Sequence, residues 1–354
     1  MGVIRDVLGR GAYILQRDLA DFETSLRDFL GVKYAFGVAD GTNALILSLR
    51  AMGVGPGDEV IVPSHTYVAS AAAIHYTGAT PKLADCGVDH LIDPESARKA
   101  VTPQTKAIMP VQLNGRTADM DAILEIADEH DLSIVEDSAQ ALGSKFDGQF
   151  AGTFGKAGIF SFYPAKLLGC FGDGGAVVTN DDRVGEQIAL LRDHGRNRQG
   201  EVVCWGTNCR LDNLHAAILN YKFRTFTDEI KRRRQIAKSY QQGLQDVAEI
   251  SLPPAPDADS KHFDVYQNYE IEAECRDELK QHLEDNGIHA IIQFNGKALH
   301  QLEGLGLTNV NLPATSNLYK NALLLPMNTA LTGRDVEYII GCTRSFYGRG
   351  ADVD

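Results

Sequence analysis

Residues 34–63 read YAFGVADGTNALILSLRAMGVGPGDEVIVP, and the fold class follows from how this stretch is read. Tyr34–Val38 is a short apolar run of strand character, Asn43–Met52 carries apolar residues at helical spacing, and Glu59–Val62 is a second apolar run. Outward from it, the same alternation continues. Pro81–Ala84, Lys106–Pro110, Ser133–Glu136, Gly158–Ser161 and Ala176–Thr179 read as strands, and Met120–Glu129 reads as a helix. Several of the strands are continuously apolar, as expected when both faces of a sheet are covered. Buried strands alternating with helices predict an α/β layered fold with a mainly parallel, seven-stranded sheet flanked by helices.

The pattern changes near residue 210. Leu211 to about Leu244 reads as long helix, and Pro253-Pro254-Ala255-Pro256 then breaks the chain. Beyond it, Val265–Ile271 and Ala290–Phe294 read as strands and Asp277–Asp285 as a helix. A last helix starts near Thr332 and reaches about Phe346. A chain of 354 residues is long for one core. It divides on this reading into a large domain over 1–235 and a smaller α+β domain over 236–354.

Composition narrows the function. Apolar residues at 44% and charged residues at 23% are ordinary for a globular chain. A formal net charge of -13 argues against a phosphate-backbone binder, so no nucleic-acid partner is expected. The basic run Lys231-Arg232-Arg233-Arg234 sits in a helical pattern and reads as a solvated face. The six cysteines form no C-x-x-C pair, so no metal site is expected. The N-terminus lacks the apolar core of a signal peptide, and no stretch has the length of a membrane span. The expectation is a cytoplasmic protein with no membrane partner.

Four passages carry chemistry. In Ile134-Val135-Glu136-Asp137-Ser138-Ala139-Gln140, an apolar strand ends in a carboxylate, at the sheet edge where open α/β folds bind ligands. A buried Asp137 there needs a cationic or hydrogen-bonding partner, such as a protonated pyridine nitrogen, and Gln140 would donate to a ring oxygen beside it. Alone, Asp137 reads as a helix N-cap. In Ser161-Phe162-Tyr163-Pro164-Ala165-Lys166, followed by Gly172-Asp173-Gly174-Gly175, a lysine among apolar neighbours suits a Schiff-base amine. Alone, it reads as a surface lysine in a glycine-rich hairpin. Gly41 and Thr42 open a helix whose positive end suits a phosphate, with Ser161 as a further donor; a simple cap is the alternative. In Pro63-Ser64-His65-Thr66-Tyr67, the Tyr67 ring suits stacking on a planar ring or a place in the core. His65 reads as a structural residue or one that supports the site from behind.

Taken together, these passages resemble the DegT/DnrJ/StrS family of nucleotide-sugar aminotransferases over nearly the whole chain, with Gly57–Pro63, Asn208–Asp212 and the tail from Tyr266 matching as well. The resemblance implies a fold-type I enzyme dependent on pyridoxal 5'-phosphate, with pyridoxamine 5'-phosphate between its half-reactions. It implies a homodimer with shared active sites. Lys166 would hold the cofactor covalently, Asp137 the pyridine nitrogen and Gln140 the ring hydroxyl. Tyr67 would stack on the ring, and Gly41, Thr42 and Ser161 would hold the phosphate, joined by Asn208 of the partner chain. The implied reaction moves an amino group, with glutamate as donor, onto carbon 3 or 4 of a dTDP- or UDP-linked keto-hexose. Arg196, Arg198 and Lys297 are candidate diphosphate contacts. The chain departs from the family at Val111-Gln112-Leu113-Asn114-Gly115, where Val-His-x-x-Gly is usual, and at Gln293-Phe294-Asn295, where His-Tyr-Pro is frequent; both lie near the sugar side in such enzymes. A dehydratase branch has histidine in place of the lysine, so Lys166 favours transamination. The alternatives are a cofactor-binding regulator of the same fold and a nicotinamide oxidoreductase; the latter lacks a G-x-G-x-x-G after the first strand.

Overall fold

A computed structural model describes residues 1–349. Two helices, α1 (Gly2–Arg10) and α2 (Arg17–Leu30), precede a strand–helix alternation. It runs β1 (Tyr34–Val38), α3 (Gly41–Ala51), β2 (Glu59–Pro63), α4 (Val68–Tyr76), β3 (Thr80–Ala84), α5 (Pro94–Lys99), β4 (Thr105–Ile108), α6 (Met120–His130) and β5 (Ser133–Asp137). A hairpin, β6 (Lys145–Phe146) and β7 (Gln149–Phe150), leads to β8 (Ala157–Ser161), β9 (Gly175–Thr179) and α7 (Asp182–Leu191). The sheet has seven strands in the order β1-β9-β8-β5-β4-β2-β3. Only β9 runs against its neighbours; the other pairings are parallel.

Alternating side chains feed two cores, because successive residues of a strand point to opposite faces. Ile159 and Val177 join the cluster built on α3, β2, β4 and α6, while Phe160, Ala176 and Val178 join the one that holds Phe22 and Leu26 of α2. Both faces are therefore dry, as the continuous apolar runs require. One polar side chain is drawn into this interior. Glu136 on β5 has no exposed surface, and its carboxylate accepts from the N–H groups of Gly152, Phe154 and Gly155 and from Gln112 Nε2 at 2.6–3.0 Å. Burial pushes its pKa up while these four donors oppose the shift. The carboxylate is thus the fastener that ties the 152–155 loop to the sheet.

The stretch read as one long helix is two, α8 (Asn213–Phe223) and α9 (Phe226–Leu244), interrupted at Arg224-Thr225. α9 passes from one core to another: Phe226 and Ile230 pack with α2, whereas Ile236, Tyr240 and Leu244 pack in the C-terminal cluster. That cluster lies over a three-stranded sheet of order β10-β12-β13, built from β10 (Ile250–Ser251), β12 (Tyr269–Ala273) and β13 (Ala322–Leu325), while β11 (His262–Phe263) pairs with β6. Helices α10 (Arg276–Asp285), α11 (Pro313–Asn321) and α12 (Gly333–Phe346) complete it. Two strand readings need correction. Val265–Ile271 yields a strand only from Tyr269, because Tyr266 takes a left-handed φ of 51° and turns the chain first. Ala290–Phe294 keeps a single bridge, Ile291 to Leu324, and then turns at Phe294 and Asn295, with φ of 52° and 56°.

Replacing Glu136 with Ala leaves four buried donors without their acceptor, at roughly 1 kcal/mol or more each. The expected loss of stability is about 4 kcal/mol, read as a lowered urea midpoint. A midpoint equal to that of the parent would show that the loop is held by other means.

Candidate active site

The carboxyl ends of β1, β5 and β8 lie on one edge of the sheet, and β9 starts there. Val38 at the end of β1 and Ser161 at the end of β8 both pair with Gly175, so this glycine sits between them. A Cβ on Gly175 would lie 2.6 Å from the Asp40 carbonyl, so only glycine allows the approach. Asp40 caps α3, accepting from Asn43 N at 2.8 Å. This leaves Gly41 and Thr42 in the open first turn. A Cβ on Gly41 would be 3.0 Å from Ser161 Cβ, which brings the helix start and the serine together. A positive helix end beside a hydroxyl is an anion seat.

Asp137 ends β5 and is 5% exposed. No helix follows it, so the N-cap reading fails. Instead its Oδ1 accepts from Ala139 N at 3.2 Å, and its Oδ2 accepts from Ser70 Oγ at 2.7 Å. Burial pushes the Asp137 carboxyl up, while the Ser70 bond, the Ala139 bond and the charge of Lys166 pull against it. Lys166 lies in the turn beyond β8, its N–H donating to Tyr163 O at 2.8 Å. Burial pushes its amine down, and Asp137 is the one group that raises it again. Lys166 is only partly exposed, which does not suit a plain surface lysine, and its charge and that of Asp137 each shift the other.

Gln140 follows one turn after Asp137. Its Oε1 accepts from the backbone N–H of Asn114 at 2.8 Å and from Asn268 Nδ2 at 3.4 Å. A backbone N–H can only donate, so this end of the amide is the oxygen and its Nε2 donors remain for the site. Asn114 itself is held in a left-handed conformation, φ 55°, by its side chain. Nδ2 donates to Glu270 Oε2 at 3.0 Å, and Oδ1 accepts from Asn268 at 2.8 Å and Gln293 at 3.2 Å. Of the two stretches that depart from the family pattern, Asn114 of one and Gln293 of the other meet each other, whereas Gln112, where His is usual, makes its bonds elsewhere. It is fully buried and spent on Glu136 and on Ala118 N.

Tyr67 caps α4 one turn before Ser70, which places it near Asp137 through that helix. Its ring is 59% exposed and stands 5.8 Å from Phe294, so it is not a core tyrosine. Asn208 is exposed on a bridge to Asp193, and its side chain makes no hydrogen bond to Gly41, Thr42 or Ser161 of its own chain. His65 is buried between Glu270, at 3.2 Å, and the Tyr319 hydroxyl, at 3.1 Å, in keeping with a structural role.

Ser70, Asn114, Asn268 and Glu270 were not identified from sequence. Ser70 alone left a signal there, one helical turn after Tyr67. The donor set fits pyridoxal phosphate. Both oxygens of the buried Asp137 carboxylate receive only neutral donors, which suits a further cationic N–H. The Lys166 amine lies near it, and the Gln140 amide and the start of α3 stand at the same edge of the sheet.

A model of the DegT/DnrJ/EryC1/StrS aminotransferase family matches residues 1–344. The dTDP-3-amino-3,4,6-trideoxy-alpha-D-glucose transaminase of Streptomyces venezuelae is 40% identical over 351 residues, which cover 98% of this chain and 91% of that protein. Among solved structures, S. venezuelae DesV in complex with a ketimine intermediate matches with TM-score 0.94 and 38% identity, covering 99% of this chain and 94% of that one. NtdA of Bacillus subtilis with bound cofactor PMP matches with TM-score 0.89 and 26% identity, covering 97% and 80%.

Glu270, which anchors Asn114, is also gripped by His90 at 3.0 Å, and His90 reaches Glu272 at 3.3 Å. Burial opposes the charge on His90, but the two carboxylates outweigh it and lift its pKa from 6.5 to about 9. The folded state therefore holds this proton more tightly than the unfolded chain. The resulting stability is complete below pH 6.5 and is lost as pH rises through about 9. The thermal midpoint of the parent is expected to fall across this window more steeply than that of His90→Gln. Parallel slopes would show that His90 does not carry the charge.

Proposed function

The chain belongs to the DegT/DnrJ/EryC1/StrS aminotransferase family and is a pyridoxal-phosphate-dependent aminotransferase; from that premise we propose that it transfers an amino group from glutamate to carbon 3 or 4 of a dTDP- or UDP-linked keto-hexose in amino-sugar biosynthesis. One observation carries the assignment of the reactive groups: the buried Asp137 at the end of β5 and the partly buried Lys166 in the turn after the neighbouring β8 lie close enough for each charge to shift the other. Similarity to the S. venezuelae transaminase supports a dTDP-linked sugar and carbon 3 as the first substrate to try.

In this reading Asp137 holds the cofactor's ring nitrogen, Gln140 Nε2 faces the ring hydroxyl, and Tyr67 covers one face of the ring. The amides of Gly41 and Thr42, the Thr42 hydroxyl and Ser161 Oγ hold the phosphate. Bound there, pyridoxal phosphate supplies an electron sink for negative charge developing on the donor's α-carbon, and a carrier for the amino group between half-reactions. Lys166 tethers the cofactor. Once displaced, its Nζ is a base of lowered pKa that takes a proton from the donor's α-carbon and returns one to the sugar carbon receiving nitrogen. Its burial keeps the amine from being swamped by protonation, and the Asp137 charge keeps the fall in pKa limited. The low water content of the pocket strengthens both effects.

The reading includes a homodimer with shared sites, in which Asn208 reaches the partner's phosphate seat and Arg196, Arg198 and Lys297 lie along the nucleotide. Trp205, 97% exposed three residues from Asn208, and the exposed Val202 and Val203 support an interface there, since an apolar patch of this kind favours burial against a partner. Residence in the cytoplasm is part of the same proposal; among the described residues no helix is long and apolar enough to cross a membrane.

Borohydride reduction followed by peptide mapping is expected to put the cofactor on Lys166. Lys166→Ala should lose this label, and its glutamate half-reaction should slow by roughly 10²–10⁴-fold. Label on another lysine, or full turnover in the variant, would refute the assignment. Glutamate-treated protein offered a panel of nucleotide keto sugars, with products identified by mass and NMR, then tests the substrate. Mixing Lys166→Ala with Asn208→Ala, each inactive alone, is expected to restore about a quarter of the sites if the two residues come from opposite chains of a dimer. No recovery in subunit-exchanged mixtures would place Asn208 outside the partner's site.

A further inference from the structure

Gln267 lies in the irregular segment that enters β12, and it is 7% exposed. Its side chain reaches across to the turn after β8 and holds it at two points. Oε1 accepts from Leu167 N at 2.7 Å, and Nε2 donates to Ala165 O at 2.9 Å. These are the two peptide groups that meet at Lys166. One carbonyl acceptor and one N–H donor leave a single orientation for the amide. Fixing a peptide on each side of a residue fixes its φ and ψ, and with them the direction in which its Cβ leaves the backbone.

The anchor of Gln267 is independent of that turn. Arg233 Nη1 donates to the carbonyls of Tyr266 and Gln267 at 3.0 Å and of Met327 at 3.1 Å. The Tyr266 hydroxyl donates to Pro254 O at 2.8 Å, and Val265 N donates to Gly115 O at 2.8 Å. The segment packs so closely on Gly115 that a Cβ there would lie 2.7 Å from the amide nitrogens of both Tyr266 and Gln267. The turn it grips has less of its own support: Tyr163, Pro164 and Ala165 are exposed. The rigid partner is therefore Gln267 and the held partner is the lysine turn.

We propose that Gln267 is a positioning residue for Lys166, clamping the peptide groups on both sides of it so that the C-terminal unit sets where the reactive amine stands. The inference rests on Lys166 being the cofactor lysine. A lysine stem of four methylenes swings freely unless its root is held, and a misplacement on the order of 1 Å costs up to about 10²-fold in a reaction that needs close approach.

The test uses cofactor-stripped full-length protein. Pyridoxal phosphate is added, the product is reduced with borohydride at intervals, and the fraction on Lys166 is read by peptide mapping as a function of pH. Gln267→Leu is expected to slow capture and the glutamate half-reaction by roughly 10–100-fold, with the KM for glutamate nearly unchanged. Its pH profile should move to higher pH, because an unclamped lysine regains water and its amine holds a proton more readily. Loss of stability alone would not move that profile. Should Gln267→Leu fold poorly, Gln267→Glu retains the acceptor for Leu167 N but sets an oxygen against Ala165 O, and it should show a smaller shift in the same direction. Capture at the parental rate with the parental pH profile in either variant overturns the proposal. Capture by the parent at a lysine other than Lys166 instead refutes the reading beneath it, and the two failures are distinguished by the parent protein alone.

Discussion

A buried carboxylate and a partly buried amine stand close together at one edge of the sheet, and much of the surrounding architecture answers the cost of keeping them there. Asp137 and Lys166 are each driven toward neutrality by burial and toward charge by the other. In isolation such a pair is a poor source of stability, because desolvation offsets the attraction. Here it sits where the carboxyl end of β5 meets the turn after β8. Ser70 and Ala139 supply neutral hydrogen bonds to the carboxylate without cancelling its charge. In the proposed role, the carboxylate would remain receptive to a cationic ring nitrogen, and the amine is held below its ordinary pKa.

Backbone approach is the second constraint. The proposed anion seat draws together the start of α3, the end of β8 and the start of β9; a side chain at Gly175 would prevent this approach, and one at Gly41 would crowd Ser161. The adjacent Asp40 spends its carboxylate on capping α3 rather than facing the ligand, which leaves the first-turn amides as the positive element. Below this layer, the Glu136 carboxylate has the opposite role. It is surrounded by donors on every side and serves the loop packing alone. Two neighbouring carboxylates on one strand are thus distinguished by what they face, since successive residues of β5 point to opposite sides.

The C-terminal unit contributes more to this pocket than its place in the chain suggests. Glu270 on β12 holds Asn114, Asn114 fixes the amide of Gln140, and Gln267 grips the turn that carries Lys166. Two of these links, from Gln267 and Glu270, are made by the segment around Tyr266, whose left-handed backbone breaks the strand. The same feature that defeats a simple strand reading of Val265–Ile271 is the one that joins the two parts of the molecule.

The alternation of apolar runs and helical periods was enough to give the seven strands of the large sheet nearly residue for residue, because local pattern and burial on both faces agree there. Lys166, Asp137, Gly41 and Ser161 could be singled out as candidates because they stand at or shortly beyond strand ends, which share one edge in such a sheet; taken one at a time each also allowed a plain structural reading, and only the motifs in combination marked them. Ser70, Asn114, Gln267 and Glu270 were not legible. Their partners lie up to 205 residues away in the chain, and an amide or carboxylate carries no local mark of what it will bond. The amino-acid order by itself determined which elements form and which reactive groups stand at their ends. Only the tertiary structure decided which groups are buried together, which end of the Gln140 amide faces the site and what holds the lysine turn, because those depend on hydrogen bonds between distant segments whose geometry exists only once both cores have packed.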